Sequence, residues 1–190
     1  MSISSEDVLW LRELADREQI RDCMMRYCHG VDRCDPDMVK SAYWPDAHDV
    51  HGDFDGNAYD FVDWAMPQLR KMVRTQHFIG NLLIRIDGDR ARTEMYSRNW
   101  HTFRTAAGRL HDVIQGHRYL DKLEKRGGEW RIFDRLCITD WLMENPQSLD
   151  LTQGALGQEQ LRLGRRAPDD PLYRFLGAIP AAPIRPGAEA

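Results

Sequence analysis

The 190-residue sequence has no long apolar segment, no basic excess and no CxxC cysteine pair. Its longest uncharged apolar-rich run, residues 78–84, is far shorter than the roughly 20 residues of a membrane-spanning helix, so no membrane partner is predicted. Its 26 basic and 30 acidic residues give a formal charge of −4, whereas a nucleic-acid partner calls for a basic surface. The first ten residues lack a basic-then-apolar secretory signal, so we expect a cytoplasmic protein with reduced cysteines.

Motifs for nucleotides, metals and covalent catalysis are also missing. The sequence contains no GxGxxG, P-loop, GxSxG, HExxH or Cys/His zinc pattern. The run His48–Asp53 is rich in imidazoles and carboxylates, but strand alternation would place His48 on the face opposite Asp49 and His51. We therefore predict no cofactor and no metal, with a metal-dependent enzyme left as an open alternative.

The first half of the chain has helical periodicity. We predict a helix over residues 5–29 that Gly30 ends, so that Asp32 would lie just beyond it. A short helix over 35–43 begins around Pro36, and a turn then leads into a short strand. A second turn at 55–57 precedes a third helix over 58–73, which Pro67 should bend or shorten.

The second half reads as four long strands joined by hairpin turns, over 75–86, 90–103, 111–125 and 129–142. Helices followed by consecutive strands predict an α+β fold, with the helices on one face of a curved, antiparallel sheet. We place one domain at residues 1–144 and an extended C-terminal tail at 145–190, which holds six of the nine prolines. The tail is expected to carry a short helix near 156–163 and to pack on its own or a neighbouring subunit.

Asp32 and His77 are the leading candidates for chemistry, because both could reach one end of a cavity beneath the helices. A carboxylate bound to one imidazole nitrogen fixes the tautomer and raises the basicity of the other nitrogen. The pair would then remove a proton next to a carbonyl or at a benzylic carbon. The alternative is a core histidine and an aspartate that caps the next helix.

Three further residues are candidates. Tyr27 lies five residues before Asp32 and could donate to a substrate oxygen, or it could simply be a core aromatic. His101 should lie on the neighbouring strand nearly opposite His77, offset by two residues. Arg135, mid-strand among apolar residues, needs an acceptor, which is either a local carboxylate or an anionic substrate group.

Three segments together resemble a known family: HGVDRCD with the helix before it, TQHFIGN with its hairpin, and GHRYLDKLEK with the strand after it. Over residues 6–142 the chain is similar to the SnoaL-like branch of the nuclear transport factor 2-like superfamily. The resemblance implies a cone-shaped α+β barrel: three helices over a strongly curved, mixed, mostly antiparallel sheet around one deep apolar pocket. Its cofactor-free dehydratases and dehydrochlorinases use an Asp–His dyad, matched here by Asp32 and His77. Tyr27, His101 and Arg135 also fall at positions that these enzymes use.

We therefore predict a cofactor-independent lyase that performs a dehydratase-type elimination on a hydrophobic aromatic or polycyclic small molecule. Alternatives are an isomerase, a formaldehyde-releasing lyase of lignin-derived aromatics with the same base, and a non-catalytic ligand-binding protein. The family resemblance also implies a homo-oligomer, a trimer or a dimer, packed through the open sheet face. The predicted substrate-binding residues are His51, Phe54, Phe61, Trp64, Trp100 and Trp141, with Met72 also on the pocket wall.

Overall fold

The computed structural model describes residues 4–145 and 163–177. The helices are α1 (Ser5–Arg33), α2 (Pro36–Lys40), α3 (Ala58–Lys71) and α4 (Pro171–Gly177). The strands are β1 (Tyr43–His51), β2 (Phe54–Asn57), β3 (Arg74–Asp87), β4 (Arg90–Arg104), β5 (Leu110–Arg126) and β6 (Glu129–Asn145).

Helix α1 begins at a capping box in which Ser4 and Asp7 satisfy each other's backbone N–H groups. It does not end at Gly30, as the sequence predicted, but continues to Arg33 and ends at Cys34 in the left-handed conformation. Gly30 has a packing role instead, because a Cβ there would lie 2.6 Å from the Val39 side chain of α2. Asp32 consequently lies in the last turn of α1, and its side chain is held by a rigid element.

The boundaries of three other elements differ from the prediction. Helix α2 is shorter because the chain turns extended at Tyr43, which opens β1. Residues 54–57 form strand β2 instead of a turn. Pro67 lies inside α3, which continues past the proline to Lys71. The helix therefore ends close to the predicted residue 73 and is not interrupted at Pro67.

The six strands form one open sheet in the order β2-β1-β6-β5-β4-β3. Strands β3 to β6 pair antiparallel as successive hairpins, whereas β1 pairs parallel with β6. Helix α1 packs on β3 and β6, and α3 packs on β1. The α+β prediction and its mixed, mostly antiparallel sheet are confirmed, although the sheet does not close into a barrel.

The two faces of the sheet differ in burial. Along β4, alternate residues from Ala91 to His101 are buried against the helices, while Tyr96 and Trp100 between them are exposed. The face that carries the buried set is called the inner face below, and the other is called the outer face. Cross-strand partners share a face, so this alternation assigns the neighbouring strands as well.

Residues 163–177 return to the end of the domain where α1 stops. The Tyr173 hydroxyl donates to Asp35, and Arg33 pairs with Asp170 at 3.2 Å. The helix expected at 156–163 lies outside the described residues except at its last position. Within residues 4–145 and 163–177, none of the helices combines the length and apolar character needed to cross a bilayer.

Candidate functional site

A cavity of about 280 Å³ lies between the helices and the inner face of the sheet. The helices supply an apolar wall, which includes Val31, Phe61, Val62 and Leu69. The strands supply a polar wall, which is made up of His51, His77, Asn99, His101, Gln115, His117, Cys137 and Thr139. An apolar wall that faces a few convergent polar groups is typical of a small-molecule binding site.

Asp32 and His77 meet at the edge of this cavity. Their side chains approach to 2.7 Å between Oδ1 and the ring Nδ1. The backbone N–H of His77 also donates to both carboxylate oxygens, at 3.0 and 2.9 Å. The His77 side chain is 5% exposed and the Asp32 side chain 10%. Helix α1 and strand β3 therefore hold the two groups in a fixed geometry, largely out of water.

The electrostatics of Asp32 fix the tautomer of His77. Burial alone would raise the pKa of the Asp32 carboxyl, but the hydrogen bonds and charge of His77 lower this pKa below its ordinary value. An ionised carboxylate only accepts hydrogen bonds, so Nδ1 of His77 carries the proton. When the ring is neutral, the lone pair is on the other nitrogen, Nε2, of a residue that lines the cavity.

His101 lies beside His77 on β4. His101 pairs with Thr75 and His77 pairs with Asn99, so the two histidines are diagonal neighbours with ring centroids 5.5 Å apart. Burial, followed by the charge of His77, lowers the pKa of His101 to about 3. His101 is therefore a neutral imidazole at neutral pH. Its buried Nδ1 has no hydrogen-bond partner among the described residues.

Tyr27 reaches the cavity from α1 while its ring is packed in the core. The ring contacts Tyr43 and Tyr119 edge to face, at centroid distances of 5.9 and 5.8 Å. Burial raises the pKa of the Tyr27 hydroxyl above its ordinary value. The phenol therefore stays protonated at neutral pH, as a hydrogen-bond donor must.

Arg135 does not line the cavity. Its guanidinium is fully buried and binds Asp121 through two contacts of 2.6 and 2.8 Å. It also stacks on Tyr27, with 4.1 Å from the guanidinium carbon to the ring centroid. Of the two acceptors that the sequence allowed, the structure thus supplies the local carboxylate, and contact between Arg135 and a substrate is not what this geometry favours.

Only some of the residues predicted for the pocket wall line the cavity. His51, Phe61, Trp64 and Met72 line the cavity. Phe54 does not, because it packs behind Phe61 and Trp64. The remaining two, Trp100 and Trp141, were wrongly placed by the sequence prediction: they are 39% and 42% exposed on the outer face of the sheet.

Arg166 supports the end of the cavity from the C-terminal segment. One of its guanidinium nitrogens donates to the Asp32 carbonyl and the Thr75 hydroxyl. The other donates to the carbonyls of Leu69 and Met72, at 3.3 and 3.2 Å. Arg166 thus ties the C-terminal ends of α1 and α3 to the start of β3, beside the Asp32–His77 pair. Sequence reasoning missed this residue.

A second polar cluster stands on the same cavity wall. His51, His117 and Cys137 each offer one atom to a group in which these atoms lie within 4.8 Å of one another. The amide nitrogen of Asn99 lies 3.0 Å from Nδ1 of His117, and Asn99 is also the cross-strand partner of His77. Asn99 therefore lies on the inner face between His77 and His117.

The SnoaL-like domain model matches residues 12–135. The chain belongs to the SnoaL-like family. An uncharacterized protein of Mycobacterium tuberculosis is 25% identical over 138 residues, which cover 71% of this chain and 92% of that protein. The family model ends before the segment that carries Arg166 and α4.

Solved structures share the fold. A hexachlorocyclohexane dehydrochlorinase of Novosphingobium barchaimii is 17% identical with a TM-score of 0.63, covering 74% of this chain and 98% of that one. A scytalone dehydratase-like protein of Novosphingobium aromaticivorans is 18% identical with a TM-score of 0.61, covering 73% and 91%. At these identities the likeness shows the cone-shaped fold alone, so the function is argued below from the site.

Proposed function

We propose that the protein is a lyase that eliminates a small leaving group from a hydrophobic small molecule, with His77 as the base. The observation that carries the proposal is the 2.7 Å contact between Asp32 and His77 at the wall of a buried cavity. Fold relatives named as a dehydrochlorinase and as scytalone dehydratase-like are consistent with this reaction class.

The proposed reaction needs only groups that the chain supplies. Nε2 of His77 takes a proton from a substrate carbon, and the C–H electron pair forms a carbon–carbon double bond as the leaving group departs from the adjacent carbon. A hydroxyl leaving group receives the proton back from His77 and leaves as water, whereas a halide leaves as the anion. Asp32 balances the positive charge that His77 carries after it takes the proton and before it releases it. Such general-base catalysis typically contributes about 10²–10⁴-fold in rate.

Tyr27 and His101 are the proposed hydrogen-bond donors to the leaving group or to an enolate oxygen. Both line the cavity, and both are neutral for the reasons given above. A donor aimed at developing charge in a dry site is worth about 2.7–4 kcal/mol. A neutral His101 does not repel the imidazolium that forms on His77, whereas a protonated His101 would repel it.

The cavity volume limits the size of the ligand. About 280 Å³ is near the lower end of the range of small-molecule sites, which is roughly 300–1,000 Å³. A compact aromatic or one-ring to two-ring alicyclic compound therefore fits the proposal better than a large polycyclic one. The apolar helix wall favours a hydrocarbon skeleton, and the strand wall favours one or two oxygens or halogens on it.

A substrate screen with matched variants tests the function. Compact aromatic and alicyclic alcohols and halides, including lignin-type alcohols, are incubated in deuterated water with the protein and with His77→Gln. Elimination gives an alkene and the free leaving group, whereas an isomerase gives a product of unchanged formula with deuterium at a new carbon. Ligands that bind without turnover by either protein would instead support a binding role.

We further propose that a second copy of this chain covers the outer face of the sheet. Large apolar side chains are exposed there on adjacent strands, including Phe78 at 68% and Tyr96 at 46%. Patches of this kind on a soluble domain commonly mark protein–protein contacts. Light scattering coupled to size-exclusion chromatography, with Phe78→Lys as the disrupting variant, checks whether the chain is a dimer or trimer. A monomeric wild-type protein would contradict this proposal.

Cytoplasmic location stays a prediction, with which the four free thiols are consistent.

A further inference from the structure

The cluster of His51, His117 and Cys137 comes from three neighbouring strands. His51 ends β1, His117 lies in β5 and Cys137 lies in β6, and the sheet order places β6 between β1 and β5. All three side chains line the cavity. Paired strands hold their side chains more precisely than loops do, so the cluster is a pre-arranged set of two imidazoles and a thiol.

Polar atoms without partners are concentrated here. His117 is 7% exposed, and its Nε2 has no hydrogen-bond partner among the described residues. The same holds for Nδ1 of His51 and Oδ1 of the fully buried Asp49. An unsatisfied buried polar atom typically costs about 1–3 kcal/mol. A bound species that used Nε2 of His117 would remove part of that cost.

The surroundings resemble an outer coordination layer. Oδ1 of Asp49 lies 3.5 Å from Nδ1 of His51, and the other carboxylate oxygen accepts from the Tyr43 hydroxyl at 2.6 Å. Asn99 contacts one nitrogen of His117, as described above. A metal-binding histidine usually has its second nitrogen held by a carboxylate or another polar group, which fixes the ring and its tautomer. Asp49 is such a neighbour for His51, whereas Nδ1 of His117 lies beside the amide nitrogen of Asn99 and 3.5 Å from Sγ of Cys137.

We propose that His51, His117 and Cys137 bind a divalent metal ion of the zinc class. Two imidazoles and one thiolate form a donor set that suits Zn²⁺ and Co²⁺ and disfavours Mg²⁺ and Ca²⁺, which take oxygen ligands. Zinc bond lengths of about 2.0–2.3 Å with tetrahedral angles place ligand atoms about 3.5 Å apart. The present separations of up to 4.8 Å require the side chains to close in by about 1 Å.

Three protein ligands would leave a fourth position, which would be open to the cavity because all three residues line it. A site with three protein ligands and one open position is the arrangement that binds water or a substrate oxygen. The ion would therefore hold an oxygen of the ligand on the β1–β6–β5 side, while His77 and His101 stand on β3 and β4. This inference does not rest on the proposed elimination, since binding of the metal alone is what is tested.

Cobalt(II) titration of the chelator-treated protein tests the site. We expect one Co²⁺ per chain, with visible bands of tetrahedral coordination and a thiolate-to-cobalt charge-transfer band in the near ultraviolet. Cys137→Ser should abolish the charge-transfer band, and His117→Gln should weaken binding by at least about tenfold. His111→Gln is the matched control, because His111 lies on the same strand outside the cavity lining, and it should bind like the wild type.

Two results would overturn the proposal. One is cobalt affinity in the wild type no greater than in a triple variant of the cluster, His51→Gln with His117→Gln and Cys137→Ser. The other is a spectrum that Cys137→Ser leaves unchanged. Melting temperatures of the metal-free variants show that each is folded, and zinc should raise the melting temperature of the wild type but not that of the triple variant.

Discussion

The carboxylate of Asp32 is bound by His77 at both the ring Nδ1 and the backbone N–H. This double attachment fixes the ring orientation as well as the tautomer, because the backbone of β3 and the imidazole are held by one acceptor. A general base needs both, since the lone pair of Nε2 must point at the substrate carbon.

Asp32→Asn and His77→Gln are expected to keep the fold and to lower kcat/KM by about 100-fold or more. The asparagine leaves the charge of a protonated His77 unbalanced, and the glutamine removes the base itself. Circular dichroism checks the fold, and turnover of a substrate found by the screen checks the rate. Full activity in both variants would rule out the proposed mechanism. His111→Gln, outside the cavity, serves as the control.

His101 should lower the free energy of unfolding as the pH falls through a defined window. Its pKa drops from the ordinary 6.5 to about 3 in the folded protein, chiefly by burial and then by the charge of His77, while Asp32 acts in the opposite direction. Above pH 6.5 both the folded and unfolded states hold a neutral ring. Between 6.5 and about 3 only the unfolded chain takes up the proton, so the free energy of unfolding decreases as pH falls.

Urea denaturation at several pH values measures this effect. One proton contributes a slope of at most about 1.4 kcal/mol per pH unit, and His101→Gln should remove it from the wild-type profile. Nearby His117 and Arg166 also act on this ring, so the difference between the two profiles is the quantity that counts. A His101 ring signal in NMR that titrates near pH 6 would contradict the expectation.

Breaking the ion pair of Arg135 and Asp121 is expected to lower the free energy of unfolding. Arg135→Met leaves a fully buried carboxylate without its partner, which typically costs about 3–5 kcal/mol. Replacing both residues, with Arg135→Met and Asp121→Leu together, should recover part of this loss because no lone charge remains. Chemical denaturation separates the cases: a stable single variant with lost turnover would instead support the catalytic role that the family resemblance implied.

Gly30→Ala should destabilise the junction of α1 and α2. The added Cβ would lie 2.6 Å from the Val39 side chain and 2.7 Å from its backbone nitrogen. Overpacking of this kind costs about 1–3 kcal/mol, which exceeds the roughly 1 kcal/mol by which alanine favours a helix interior. Gly80→Ala is the matched control, because its Cβ would meet nothing within 4 Å. Equal melting temperatures for the two variants would contradict this account.

Local patterns in the sequence predicted the secondary structure well where periodicity was long. The four long strands and the first helix follow from it, because alternation and helical spacing depend on near neighbours. Gly30 was misread, since a glycine near a helix end is typical of a cap, whereas here it serves a close helix–helix approach. Trp100 was placed in the pocket although it adjoins His101, and adjacent strand residues point to opposite faces.

Other features depended on contacts that local patterns do not contain. The pairing of β1 with β6 joins distant segments in parallel, and only this pairing brings His51 next to Cys137. Bulges in the pairing of β5 with β6 shift the register near Gly116, which turns Trp141 outward. Arg166 lies 134 residues after Asp32 in the sequence, so no spacing rule could have linked the two residues.

Arg166→Met is expected to lower the free energy of unfolding by about 1–3 kcal/mol. The substitution removes the donors to the carbonyls at the ends of α1 and α3 and keeps the aliphatic stem. Because one of those carbonyls belongs to Asp32, the ring signals of His77 in NMR should shift as well. Arg174→Met, at an exposed position of α4, is the control and should change neither quantity. If Arg166→Met matched this control in both measurements, the C-terminal segment would have no part in supporting the Asp32–His77 pair.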